Sequence, residues 1–194
     1  KIVFIVGISS LLHDYRHPGV NAKFLANVKH PLSEMYESAV LENMHAAESL
    51  ELLKRHGILE DMTELSMREK MQCRFLVSKL ILSTDFSRGL ETVHQIQNLN
   101  QSRKRSLRAM STYHMSSSLS NRKTDDIFDD RDRSDEFELI LGLIVECSDL
   151  GHPARPLRLH QRWSVMVSQE FFAQGRMETD HGIPISPMCE PESE

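Results

Sequence analysis

Residues 137–145 constrain the fold more than any other stretch of the chain. Phe137, Leu139, Ile140, Leu141, Leu143, Ile144 and Val145 are apolar, so a helix through them has no wholly polar side. Such a helix is stable only when other helices surround it. The segment, opened by Ser134-Asp135-Glu136, therefore predicts a central helix in a bundle. It runs into Cys147-Ser148-Asp149-Leu150-Gly151-His152-Pro153 and so delivers the carboxylate of Asp149 where a core helix stops. An unpaired charge there is costly, and a cation or a basic side chain has to meet it.

The other periodic segments are helical as well. From Pro31, apolar residues at Leu32, Met35, Tyr36, Ala39, Val40, Met44, Ala47, Leu50 and Leu53 recur at steps of three and four, with Gly57 as the stop. Ser66-Met67-Arg68-Glu69 is a capping-box start for a helix through Met71, Phe75, Leu76, Leu80 and Leu82, interrupted at Ser83-Thr84-Asp85. A further helix resumes through Phe86, Leu90, Val93 and Ile96. Pro156 opens the last helix, with Leu159, Trp163, Met166, Val167 and Phe171 on its inner side and Gly175 ending it. The apolar start Lys1–Ile8 lacks the small-residue cleavage site of a signal peptide and reads as a buried helix. Position 1 is not Met, and the chain reads as cut from something longer. No strand pattern competes, so the expected fold is all-α, a compact multi-helix bundle.

A length of 194 residues suits one ordinary domain. A net charge of -5 excludes a general nucleic-acid binder, whose affinity comes from clustered Lys and Arg. Cys73, Cys147 and Cys189 are odd in number and widely spaced, which suggests a reducing, cytoplasmic setting. No stretch reaches the length of a membrane helix. Residues 100–135 combine a basic run, a serine triplet and an acidic run, a composition expected for a disordered insertion. Within it Ser106 and Ser111 each follow an arginine by three residues, a pattern suited to a basophilic kinase.

The chemistry concentrates in His13-Asp14-Tyr15-Arg16-His17-Pro18-Gly19. If the segment is helical to His17, the two imidazoles share one face, and Asp14 reaches the same ion from a neighbouring direction. Pro18 and Gly19 end that helix at once, which places the group at a helix end facing a loop. Further along, Glu42 and His45 are three apart and can share a face, although a solvated helix carboxylate would look the same. Thr84 and Asp85 can equally be a helix N-cap pair.

Together these blocks resemble the catalytic domain of the class I cyclic-nucleotide phosphodiesterases, HD-type metal-dependent phosphohydrolases. The resemblance rests on His13 to Gly19, on Val40-Leu41-Glu42-Asn43-Met44-His45, on Leu82-Ser83-Thr84-Asp85-Phe86-Ser87, and on Cys147-Ser148-Asp149 through His152-Pro153-Ala154, Trp163, Glu170-Phe171-Phe172-Ala173-Gln174-Gly175 and Ser186-Pro187-Met188-Cys189. It implies that His13, Asp14 and Asp149 hold a tightly bound ion, generally Zn2+, and that Asp14 also reaches a second, generally Mg2+ or Mn2+. By the same resemblance His17, Glu42 and Thr84 hold the metal-bound waters, with Asp85 the carboxylate beside them. The implied reaction is in-line attack of a metal-bridging hydroxide on cAMP or cGMP, giving the 5′-monophosphate.

The sequence also departs from the family pattern. Met44 stands where a histidine is usual, Arg16 where an acidic residue is common, and His152 where asparagine is frequent. The family's His-Asn-x-x-His block would lie upstream of residue 1, and its base-holding glutamine and clamping aromatic downstream of Cys189. Apolar faces of the central helix are then expected to be exposed. The alternative to an enzyme is a catalytically incomplete member of the same fold that acts as a binding or regulatory protein.

Overall fold

The structure is a computed structural model that describes residues 1–114 and 130–190. Eight α-helices are described: α1 Ile2–Leu12, α2 Ala22–Asn27, α3 Pro31–Met35, α4 Val40–Arg55, α5 Met67–Leu82, α6 Gly89–His114, α7 Asp130–Asp149 and α8 Leu157–Asp180. No strand occurs among the described residues, and the all-α expectation holds. The chain divides into two compact units, one of residues Lys1–Thr84 and Gly142–Glu194, the other of Asp85–Leu141.

In the first unit α5 is the element the others are built on. Its Val77, Leu80 and Ile81 are fully buried, and α1 and α4 both pack on it. Burial of side chains of this size stabilises by roughly 1.5–3 kcal/mol each. The helix starts where the sequence predicts. Ser66 Oγ accepts from the Glu69 N–H, and the Glu69 carboxylate accepts from the Ser66 N–H at 2.9 Å. Ile5, Ser9 and Leu12 are the buried face of α1, while Val3 is 86% exposed. The first residues are thus an apolar helix buried along one side, not the fully buried one expected. A smaller apolar cluster of Val20, Phe24, Leu25 and Leu41 anchors α2 beside α4.

Several boundaries differ from the sequence reading. The single helix expected from Pro31 is two, because Tyr36 is extended and Ala39 adopts a left-handed φ of 46°, which stops one helix before the next begins. Gly175 does not end α8. It lies inside the helix, where a Cβ would come within 2.0 Å of the Cys189 carbonyl oxygen, so glycine is required by a backbone crossing. The inner side of α8 is Gln174, Gly175 and Glu178, whereas Leu159, Trp163, Met166 and Val167 are exposed. On α7, Leu141 and Val145 are buried one turn apart, and Phe137, Ile140 and Ile144 are exposed. The helix is therefore covered along one side and not all round.

In the second unit α6 runs to His114 and α7 begins at Asp130, so the insertion expected over 100–135 meets helix at both its ends. Gln, Arg, Lys, Leu, Ala and Met in 101–110 are all good helix formers, and their propensity outweighs the composition argument there. Arg103 pairs with Glu136. Residues 115–129 lie outside the described residues, and Ser106 and Ser111 fall on α6. None of the helices searched is long and apolar enough to cross a membrane.

Candidate metal centre

The site is built where α1 stops. Leu12 is its last residue and His13 its C-cap. Beyond it the chain makes two tight turns, with the Tyr15 N–H bonded to the Leu12 carbonyl at 2.9 Å and the His17 N–H to the Asp14 carbonyl at 3.0 Å. Arg16 takes a left-handed φ of 63°, so the helix considered through His17 ends five residues early. Two groups one turn apart on α4 grip this segment from below. Ser49 Oγ donates to the Leu12 carbonyl at 3.1 Å, and His45 Nδ1 donates to the Tyr15 carbonyl at 2.9 Å. They bond carbonyls at and just beyond the end of α1 and fix the two residues between them, His13 and Asp14. On the outer side Arg16 pairs with Glu48 at 2.7 Å.

His13 Nδ1 donates to the Ser10 carbonyl at 2.9 Å, which makes Nε2 the lone-pair nitrogen of the neutral ring. That nitrogen is buried without a hydrogen-bond partner. It faces Asp14 Oδ2 at 3.3 Å and Asp149 Oδ1 at 3.2 Å. A ligand atom from each of His13, Asp14 and Asp149 lies within 4.8 Å of the others. Three acceptors so placed repel one another unless a proton or a cation lies between them. Two ligands about 2.1 Å from one ion, at tetrahedral or octahedral angles, stand about 3.0–3.4 Å apart, so the observed spacing fits a divalent metal. Asp14 and then Asp149 push the His13 imidazole up to about 10 when only a proton is available. His13 in turn holds the Asp14 carboxyl below its ordinary value. The field that raises His13 is the field a cation would enter.

Asp14 turns its other oxygen, Oδ1, toward His45 Nε2 at 3.7 Å. His45 is 1% exposed and its Nε2 also lacks a hydrogen-bond partner, while burial keeps its imidazole below its ordinary value and hence neutral. The ring stacks on His17, with centroids 5.6 Å apart. His17 Nδ1 accepts from the Gly19 N–H at 3.0 Å and lies 3.9 Å from Glu170 on α8.

Five of the residues singled out or adjacent to them in the sequence thus converge: His13, Asp14, Asp149, His17 and, missed as a site residue, His45. Its signal was the three-residue step from Glu42. Glu42 itself is half-buried in the first turn of α4 and is engaged in an interaction there. Thr84 follows α5, its Oγ1 donating to the Ile81 carbonyl at 2.8 Å. Asp85 belongs to the second unit, where it accepts from the Ser87 N–H at 2.9 Å and caps the short 3-10 turn Phe86–Arg88. For Asp85 the capping reading is the one the geometry displays.

The described residues thus combine an all-α fold with a cluster, His13, Asp14 and Asp149, that could hold a metal ion. Over 97% of its length the chain superposes, with a TM-score of 0.76 and 22% identity, on the crystal structure of the phosphodiesterase domain of Salpingoeca rosetta rhodopsin phosphodiesterase, covering 51% of that chain. The likeness establishes the fold. The family model of the 3′5′-cyclic nucleotide phosphodiesterases matches residues 2–194, and the chain belongs to that family. It is 33% identical over 180 residues to 3′,5′-cyclic-AMP phosphodiesterase 4C of Rattus norvegicus, and 30% identical over 183 residues to 3′,5′-cyclic-AMP phosphodiesterase, isoform F, of Drosophila melanogaster. These matches cover 92% and 94% of the chain but span only 30% and 25% of the two relatives.

Proposed function

We propose that the chain carries the metal centre of a 3′,5′-cyclic nucleotide phosphodiesterase, acting on cAMP in the first place, as its curated relatives are named for that substrate. The observation that carries the reading is the His13 Nε2 lone pair, fixed by the Ser10 carbonyl and faced by two carboxylates brought together from positions 14 and 149.

His13, Asp14 and Asp149 are assigned to one divalent ion, and the imidazole in that set suits Zn2+. The free side of Asp14 is assigned to a second ion of Mg2+ or Mn2+ type, which favours oxygen ligands. Bound there, such ions supply charge neutralisation for a cyclic phosphate and lower the pKa of water. The protein's own part is orientation. Ser10 holds the His13 tautomer, Ser49 and His45 hold the turn, and His17 and Glu42 are assigned to the water network at the open side. Thr84 and Asp85 complete the assignment by their place in the family pattern. A cytoplasmic setting, and phosphorylation of Ser106 or Ser111 by a basophilic kinase reading Arg103 or Arg108, belong to the same proposal.

Hydrolysis of cAMP and cGMP by the purified chain, in Mg2+ with trace Zn2+, tests it. Chelator-sensitive turnover that disappears in Asp149→Ala is the expected result. No turnover while metal stays bound stoichiometrically overturns the catalytic reading for this chain.

A further inference from the structure

Along α8, Glu170, Gln174 and Glu178 follow at four-residue steps and so occupy one face of the helix. Glu170 lies beside His17, Gln174 reaches Asn21, and Glu178 reaches Ser186. The lower two are deeply buried, Gln174 at 3% exposure and Glu178 at 0%. A buried carboxylate is expensive unless donors surround it, and here they do. Glu178 Oε1 accepts from Gln174 Nε2 at 2.9 Å and from Ser186 Oγ at 2.7 Å, while Oε2 accepts from the Ser186 N–H at 2.7 Å. Gln174 Oε1 then accepts from the Asn21 N–H at 2.8 Å.

The chain of bonds has a direction. Glu178 is acceptor-only when ionised, so it fixes which end of the Gln174 amide points at it. The amide nitrogen is committed to Glu178, and the oxygen is turned outward to meet Asn21. Asn21 is the N-cap of α2, its own Oδ1 accepting from the Phe24 N–H at 2.8 Å, and it closes the five-residue loop that begins at His17. An amide at position 178 keeps its oxygen on the Ser186 N–H, a backbone donor that cannot turn, and so sets its nitrogen against the Gln174 nitrogen. Gln174 would flip to relieve that, and its amide nitrogen would then oppose the Asn21 N–H.

We infer that Glu178 is a positioning residue for the metal centre: by orienting Gln174 it fixes Asn21, and with it the distance of His17 from α8 and its stacking on His45. The inference rests on the proposed metal centre for its consequence, but the movement of His17 is measurable without any metal. The pattern can also be inverted, since Gln174→Glu with Glu178→Gln puts an acceptor-only group at 174 for both Asn21 and the new amide, and Ser186 Oγ can accept where it had donated.

Histidine side-chain NMR of the full chain tests this. In Glu178→Gln the Cε1–Hε1 signals of His17 and His45 are expected to move while those of His152 and His160 stay in place. The Gln174→Glu/Glu178→Gln double variant is expected to restore them. Zn2+ affinity, titrated with the metal alone, is expected to fall about tenfold in the single variant, as for loss of a group that orients a metal site's surroundings, and to recover in the double. An unmoved His17 signal in folded Glu178→Gln overturns the inference. Should the single variant not fold, a displaced His17 signal in the folded double variant overturns it equally. If the wild-type chain binds no Zn2+, the metal-centre reading fails, and the His17 signals still decide the role of Glu178.

Discussion

Among the described residues, an exposed pair of carboxylates and one buried carboxylate are chemical opposites. At the end of α1, Asp14 and Asp149 are partly exposed, with side-chain exposures of 59% and 36%, and the group facing them is the Nε2 nitrogen of His13. Around the last turns of α8, Glu178 is wholly buried and takes three hydrogen bonds from protein donors. Burial pushes the Glu178 carboxyl up, yet those hydrogen bonds outweigh it and hold it below its ordinary 4.5. The lesson is that a carboxylate's need for a cation is set by its donors and not by its depth. The buried one is satisfied by the chain itself, and the exposed pair is not.

The comparison breaks most sharply at the exposed pair. Asp149→Ala should lower Zn2+ affinity by at least about a hundredfold, beyond what losing a merely orienting partner costs, as calorimetric titration would read. An equal loss in Glu178→Gln would erase the distinction between the groups. Next in size, Zn2+ at a hundred times its dissociation constant should stabilise the chain by about 2.7 kcal/mol. A melting temperature indifferent to metal would count against the site. Gly175→Ala forces a methyl into the space of the Cys189 carbonyl and should cost about 2 kcal/mol by overpacking, read from denaturant midpoints, because it separates α8 from the segment that Glu178 clasps.

Acid gives a smaller effect with a definite sign. Because the folded Glu178 carboxyl lies below its ordinary 4.5, its stabilisation is present above that pH and is lost as pH falls through the folded value. Urea midpoints should therefore decline more steeply below pH 4.5 in the wild type than in Glu178→Gln. Smallest is Ala39→Gly. Relief of the left-handed φ of 46° ahead of α4 should stabilise by about 1 kcal/mol, and no gain would mean that the strain is spread over Tyr36 to Ala39.

Much of the site was legible in the sequence because it rests on local chemistry. His13 and Asp14 are adjacent, Pro18-Gly19 prevents a helix from continuing past them, and Asp149 follows an apolar helix that has no use for a charge. His45 was harder. A histidine on an amphipathic helix reads as an ordinary core residue, and its alignment depends on the Tyr15 carbonyl thirty residues away. Asp85 is legible as a local cap, and its Oδ1 accepts from the Ser87 N–H. Gly175 was misread, as glycine in a helix looks like a stop until another backbone is found crossing it.

The sequence by itself determined the all-α class, the capping box at Ser66, and which residue types could bind a cation, since these follow from periodicity and from donor chemistry within a few positions. Only the tertiary structure decided that Asp149 meets His13, that His17 and His45 stack, and that Glu178 needs no cation. Each of those depends on which backbone groups arrive from distant parts of the chain, and hydrogen bonds over such separations leave no period for a sequence to carry.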